Sequence, residues 1–227
     1  MEPFVQRRFV VGLWAWIFSL LRWISIFQII KYILIWLIPS TKGKYRYLLV
    51  DVWVLSHLML AISATAFSTS PDLDWWEAAL VLYSAARVFE IITYQIDLLL
   101  FADYRARLAG RSSDLASYRR ILLLLLHNFV ELIFWFAFFY RNFYWLFDSG
   151  ALDLNSFLIS FKFSFITMTT FGSMPIMPRN GWGELATLME SIIGFYMTLL
   201  VLARFISFLP TPQSQETLEK PSEHRPA

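Results

Sequence analysis

Four long apolar runs, at residues 48–67, 75–101, 121–140 and 185–205, are parted by short polar stretches, and no other feature limits the fold of this chain so tightly. A bilayer core of about 30 Å needs roughly 20 helical residues at about 1.5 Å each, and every one of these runs is that long. The composition agrees with lipid as solvent: 58% of residues are hydrophobic and 16% charged, against about 45–50% and about 25% in soluble chains. The 22 Phe and 10 Trp exceed what one buried core of this size would take up. A soluble enzyme is excluded. There is no Cys, so disulfides, thiolate metal sites and cysteine nucleophiles are excluded as well. The formal charge of +2 is too small and too scattered for a nucleic-acid partner.

A further run at 9–39 is long enough to span, yet Ser19, Arg22, Gln28 and Lys31 repeat along it as a polar strip. That pattern predicts an amphipathic helix lying in the interface, where the rings of Trp14, Trp16, Trp23 and Trp36 also settle. Basic residues gather in two connections, Lys42, Lys44 and Arg46 in one and Arg105, Arg107, Arg111, Arg119 and Arg120 in the other. The connection between runs 48–67 and 75–101 has none and carries Asp72 and Asp74. The basic loops are expected to be cytoplasmic, which places both termini there. The expected fold is an all-α membrane protein with four transmembrane helices and an N-terminal interfacial amphipathic helix. Its divisions are residues 1–46 (interfacial helix and basic loop), 47–120 (two-helix bundle), 121–207 (a second membrane unit) and 208–227 (a polar, disordered tail).

Polar residues inside the runs mark faces that must avoid lipid. Tyr83, Arg87, Glu90, Tyr94 and Asp97 are spaced four, three, four and three, so they share one helix face. Arg87 and Glu90 are expected to pair, with Asp51 and His57 of the preceding run beside them. His127 and Glu131 stand one helical turn apart. These two sets fit structural hydrogen bonding as well as a sensing role, and one arginine is too few for a steep voltage sensor.

Residues 156–170, SFLISFKFSFITMTT, are too apolar for a loop in water. With Asn155 or Ser156 as cap they predict a helix of about 13 residues, roughly 20 Å long, too short to cross but able to reach mid-membrane. A re-entrant segment is expected. Non-helical backbone at that depth is tolerated only where protein buries it or water reaches it, so the following TTFGSMP implies a water-lined path. Lys162 fits neither the apolar run nor this role.

Thr167, Met168, Thr169, Thr170, Phe171, Gly172 and Ser173 resemble the pore-loop signature of potassium channels, T-x-T-T-V-G-Y-G-D. Pro178, Gly183, Ala186, Glu190 and Gly194 fall where small prokaryotic members of that family often carry Pro, Gly, Ala, Glu and Gly. The resemblance covers residues 141–205. It implies a homotetramer around a central pore, with 121–140 as outer helix, the re-entrant segment as pore helix and 185–205 as inner helix. It also implies an ion-binding selectivity filter of Thr169, Thr170, Phe171, Gly172 and Ser173. Met174, Pro175 and Glu190 would support the filter, and Gly194 would be a gating hinge or a close-packing position. The physical logic is that four copies of an extended segment ring a dehydrating cation with carbonyl oxygens. Glycine supplies left-handed backbone there, and the negative end of the pore helix faces the ion.

The chain departs from the family pattern at Ser173, Met174 and Pro175, which stand where tyrosine, glycine and an acid are usual. A non-glycine residue at positive φ is costly, so the outer part of the filter is expected to differ in shape. Selective potassium conduction, nonselective monovalent cation conduction and a nonconducting pore-fold subunit all stay open. A membrane enzyme or transporter finds no H-E-x-x-H, G-x-S-x-G or phosphate-binding glycine loop. Neither catalytic residues nor a resident metal or cofactor are expected beyond permeant potassium or sodium. The expected partners are monovalent cations, the lipid bilayer and further copies of the chain, in the cell membrane.

Overall fold

The computed structural model describes residues 9–23, 46–68, 74–101 and 118–208. The polar strip beyond Trp23, the basic residues Lys42, Lys44, Arg105, Arg107 and Arg111, and the tail from 209 lie outside the described residues. Six α-helices occur in order: α1 (Phe9–Trp23), α2 (Arg46–Phe67), α3 (Trp75–Ile96), α4 (Tyr118–Asn142), α5 (Phe157–Thr169) and α6 (Gly181–Phe208). Two short strands, β1 (Phe147–Asp148) and β2 (Met177–Pro178), pair antiparallel between α4 and α6. Four helices are long and apolar enough to cross a membrane, at Leu48–Phe67, Trp75–Ile96, Arg120–Asn142 and Gly181–Ile206. The protein is an all-α, multi-pass membrane protein.

Two helix boundaries differ from the apolar runs for local reasons. α6 begins at Gly181, four residues before its run, because the Asn180 Oδ1 accepts the backbone N–H groups of Trp182 and Gly183 at 3.1 Å each, capping the first turn. α3 stops at Ile96 and loosens into a π-helical turn, Asp97–Phe101. That turn buries Phe101 against Phe18 of α1, with ring centroids 5.4 Å apart.

α4 is the axis of the described structure: it packs against α2, α5, α6 and α3. Small residues decide the first of these contacts. Ala61 and Ala64 of α2 let Trp135 and Phe138 of α4 bury completely between the helices. A second apolar cluster joins Ile91 of α3, Leu132 and Ile133 of α4, Met168 of α5 and Ile193, Met197 and Leu200 of α6.

Polar side chains stitch the same helices together. Arg87 of α3 donates to Glu90 at 2.7 Å and to both oxygens of Glu131 on α4, at 2.7 and 3.1 Å, all three residues being buried. Trp135 donates its indole N–H to Glu131 at 3.1 Å, and the Arg87 guanidinium lies 5.8 Å from the Trp53 ring centre. His57 bonds to the Trp53 carbonyl through Nδ1 at 2.7 Å and to the Tyr83 hydroxyl through Nε2 at 2.5 Å. A carbonyl only accepts, so Nδ1 carries the hydrogen and Tyr83 donates to Nε2. At the other end of α4, buried Arg141 donates to the carbonyls of Thr65 and Ala66, satisfying the last turn of α2.

Three expectations for polar residues change. Asp51 turns to Arg120 of α4 at 2.6 Å rather than to α3. Glu131 faces α3, while His127 donates Nδ1–H to the Leu123 carbonyl at 2.7 Å, so the two share spacing but not a hydrogen bond. Tyr94 shares the polar row of α3 but is 46% exposed.

Removing one partner of a buried ion pair leaves an uncompensated charge, which costs about 3–5 kcal/mol. Glu131→Ala is therefore expected to lower the thermal unfolding midpoint in detergent sharply, with Glu131→Gln intermediate because it still accepts from Arg87. An unchanged midpoint for both variants would show that the Arg87 cluster does not hold α3 to α4.

Candidate functional site

The site is built where α5 is clamped between α4 and α6. α5 has 13 residues with Ser156 at its N-cap position in extended conformation. Ser160, Phe163, Ser164 and Met168 form its buried face, and Leu158, Lys162 and Phe165 lie on the opposite, exposed face. The helix stops because Thr170 takes a left-handed conformation, φ 59° and ψ 17°. Two residues on, Gly172 has φ 108°, which glycine reaches without steric cost. The chain then returns alongside α5, burying Ile176 in a cluster with Phe163, Tyr140, Phe147 and Leu154. β2 fixes the end of this return against β1, with Arg179 N–H donating to the Leu146 carbonyl at 2.8 Å.

Two glycines place α6. A Cβ on Gly194 would lie 2.8 Å from the Met168 carbonyl carbon and 2.9 Å from its Cα, so the α6 backbone touches the last turn of α5 directly. A Cβ on Gly183 would lie 2.8 Å from the Leu146 carbonyl oxygen and 3.1 Å from Pro178 Cβ. Gly183 and Gly194 thus sit at backbone contacts, in the first turn of α6 and at its middle.

Between these contacts Glu190 is fully buried and projects from α6 toward α4 and α5. Its Oε2 accepts from the Tyr140 hydroxyl and its Oε1 lies on the Ser164 hydroxyl, both at 2.5 Å. Ser164 Oγ is also 2.8 Å from the Ile133 carbonyl. A serine has one hydrogen to give. The pattern closes in full when Ser164 donates to Ile133 and a protonated Glu190 donates to Ser164. Glu190 then satisfies three elements at once without placing a charge in the apolar layer.

The signature residues lie at the exposed tip of this arrangement. Thr169 ends α5 and donates its hydroxyl to the Phe165 carbonyl at 2.6 Å; Thr170 donates to the Thr169 carbonyl at 2.7 Å. Phe171 is 80% exposed, Gly172 and Ser173 are exposed, and Met174 is half-buried against the Ile176 cluster, with Pro175 exposed. Arg87, Glu90, Asp97 and Glu131 are buried away from this tip, on α3 and the α3-facing side of α4, and His127 lies one turn from Glu131.

Sequence reasoning singled out Glu190 but missed its partners. Ser160 and Ser164, one turn apart in an apolar helix, were the available signal for a polar contact on that face. Tyr140 carried none, since an aromatic at the end of an apolar run reads as an interface residue.

Glutamine offers one acceptor and one donor, the pattern that protonated Glu190 presents. Glu190→Gln is expected to keep the folded state within about 1 kcal/mol. Glu190→Leu, which strands the Tyr140 hydroxyl while Ser164 keeps the Ile133 carbonyl, is expected to cost about 1–3 kcal/mol. Thermal unfolding in detergent tests this, and equal loss in both variants would show that an ionised Glu190 is what the site requires.

No curated protein and no solved structure matches the chain. Residues 128–210 match the family model described as ion channel. This segment runs from the third turn of α4 through α5 and the signature tip past the end of α6. Residues 128–210 are therefore similar to an ion-channel domain.

Proposed function

We propose that four copies of the chain surround a central pore that passes potassium and other monovalent cations down their gradients. Residues 169–173 form the ion-binding filter, α5 is the re-entrant pore helix, and α4 and α6 are the outer and inner helices. The observation that carries this reading is the tip itself. A helix of 13 residues, too short to cross, ends in Thr169 and Thr170 and is followed by Gly172 at φ 108°, within a matched ion-channel domain. A helix ending at that depth aims its unpaired carbonyls at the tip, which favours a cation there. The exposed backbone of residues 171–173 finds partners when further copies and permeant ions meet it on the axis.

The reading places the basic connections and both termini in the cytoplasm of a cell with the protein in its surface membrane, on the charge rule already applied. Ions are the cargo, so the activity needs neither a catalytic residue nor a cofactor. A second reading, weaker discrimination between potassium and sodium, is favoured by Ser173, Met174 and Pro175, because side chains with a Cβ replace glycine and an acid in the outer filter.

Purified protein in planar bilayers is expected to carry currents whose reversal potential moves toward the potassium equilibrium value under opposed potassium and sodium, with block by barium. Gly172→Val, which forces a branched side chain onto a left-handed backbone, is expected to abolish permeation without loss of the oligomer. Clear currents reversing near zero would establish the nonselective reading. Silence across voltage and pH in protein of the expected mass would overturn conduction by this chain alone, and undiminished current in Gly172→Val would remove residues 169–173 as the filter.

A further inference from the structure

Lys162 is a cation exposed on the middle of an otherwise apolar strip of α5, between Leu158 and Phe165. Within the protomer its ammonium forms no ion pair and no hydrogen bond among the described residues. An ammonium on an apolar helix face is costly to cover unless it is paired. One acid matches it. Glu184, in the first turn of α6, is likewise exposed, and its carboxylate has no partner among the described residues. The other exposed acids of the domain are engaged in the loops: Asp148 faces Arg179 at 3.9 Å and Asp153 accepts the Asn155 N–H at 3.0 Å.

The two residues lie in one layer of the fold. Lys162 precedes Phe163, whose ring is buried with Ile176 on the returning chain. Ala186, two residues beyond Glu184, packs on that same cluster, and Gly183 touches Pro178, two residues beyond Ile176. Both charges therefore flank the level at which the return from residue 173 to β2 is packed. Each also stands on an unpartnered strip. On α6, Glu184 heads the exposed row Leu188, Ile192, Phe195, Leu199 and Leu202, spaced four, four, three, four and three. On a helix that spacing draws one apolar seam.

We infer that Lys162 of one protomer pairs with Glu184 of its neighbour, so that the exposed strips of α5 and α6 are the two halves of a repeating contact between copies of this chain. The inference rests on the tetrameric reading above. A heterologous contact of this kind, using two different surfaces of each protomer, closes into a ring when its rotation is a quarter turn, as the tetrameric reading requires. Four such pairs gird the outer part of the filter, at the level where Ser173 and Pro175 provide little side-chain hydrogen bonding of their own. Opposite charges on complementary strips also fix the register and reject a face-to-face arrangement, which would oppose like charges.

The full-length chain in mild detergent provides the test, with mass measured by light scattering. Lys162→Glu and Glu184→Lys are each expected to raise the detergent concentration dependence of dissociation and leave at least a tenfold smaller tetramer fraction. The double exchange Lys162→Glu with Glu184→Lys is expected to restore it. Because the chain has no Cys, the pair Lys162→Cys and Glu184→Cys can be joined with a short bismaleimide in an otherwise unreactive background. The expected result is a ladder of covalent dimer, trimer and tetramer on a denaturing gel. A wild-type chain that is monomeric would overturn the tetrameric reading and the pair together. A wild-type tetramer that gives no ladder, and whose charge exchange fails to restore what the single variants lose, would overturn the pair alone.

Discussion

The Met168 carbonyl lies where a side chain on residue 194 would be, and that single close approach sets where the end of α5 and the tip lie against α6. A short helix that ends inside an apolar layer leaves its last carbonyls without intrahelical partners, so the structure around its terminus must be rigidly placed. Gly194 allows the α6 backbone to reach the final turn of α5, and Thr170 then turns the chain at once. A residue with a Cβ at 194 would push α5 away by more than a core normally absorbs. The tip, its distance from α6 and the level of the return segment all follow from that contact.

α4 connects this tip with the rest of the described structure. Glu131 and Tyr140 are nine residues apart, about half a turn out of phase at about 100° per residue, so they face opposite ways. Glu131 meets Arg87 on α3, and Tyr140 meets Glu190 on α6. The two networks differ in kind. The Arg87 cluster is charged and holds helices through ion pairs whose removal leaves a stranded charge. The Glu190 cluster closes with hydrogen bonds alone and joins α6 to α4 and α5. The α2–α3 bundle thus bears on the α4–α6 unit through a helix that presents a separate, fully satisfied polar anchor to each side.

The four spanning helices, the short α5 and its capping position were legible in the sequence because length and apolar content alone determine them in lipid. Gly183 and Gly194 stood out in the sequence by position, and the structure adds a cause, since both touch backbone. What periodicity could not reveal was the neighbour each polar face meets. The spacing of His127 and Glu131 put them on one side of a helix, but Glu131 lies nearer an arginine, and a carboxylate gains more from a buried guanidinium than from an imidazole already bonded to its own helix. Asp51 was assigned to the adjacent helix in sequence and meets Arg120 of a later one. Arg141, read from sequence only as the boundary of a run, caps the carbonyls of α2, a role invisible without knowing that α2 ends beside it.

The unusual outer half of the signature acquires a consistent reading when its supports are traced. In place of a large hydrogen-bonding side chain it has Ser173, and in place of an acid it has Pro175, a residue that fixes φ and gives up its N–H. The return segment is instead held by apolar burial of Ile176, by the β1–β2 pair and by the rigid Pro178 against Gly183. Met174 and Ile176 pack within the return and the β1–β2 pair closes its end, so the segment is held by apolar contact while Ser173 and Pro175 stay exposed. On the proposed reading the inner part, Thr169 to Gly172, keeps the residues that ligate and turn, while the outer part trades side-chain hydrogen bonding for packing. On that reading discrimination between cations of similar size rests on the carbonyl rings of residues 169–173, and the outer part is backed by the apolar packing of Met174 and Ile176 rather than by side-chain hydrogen bonds.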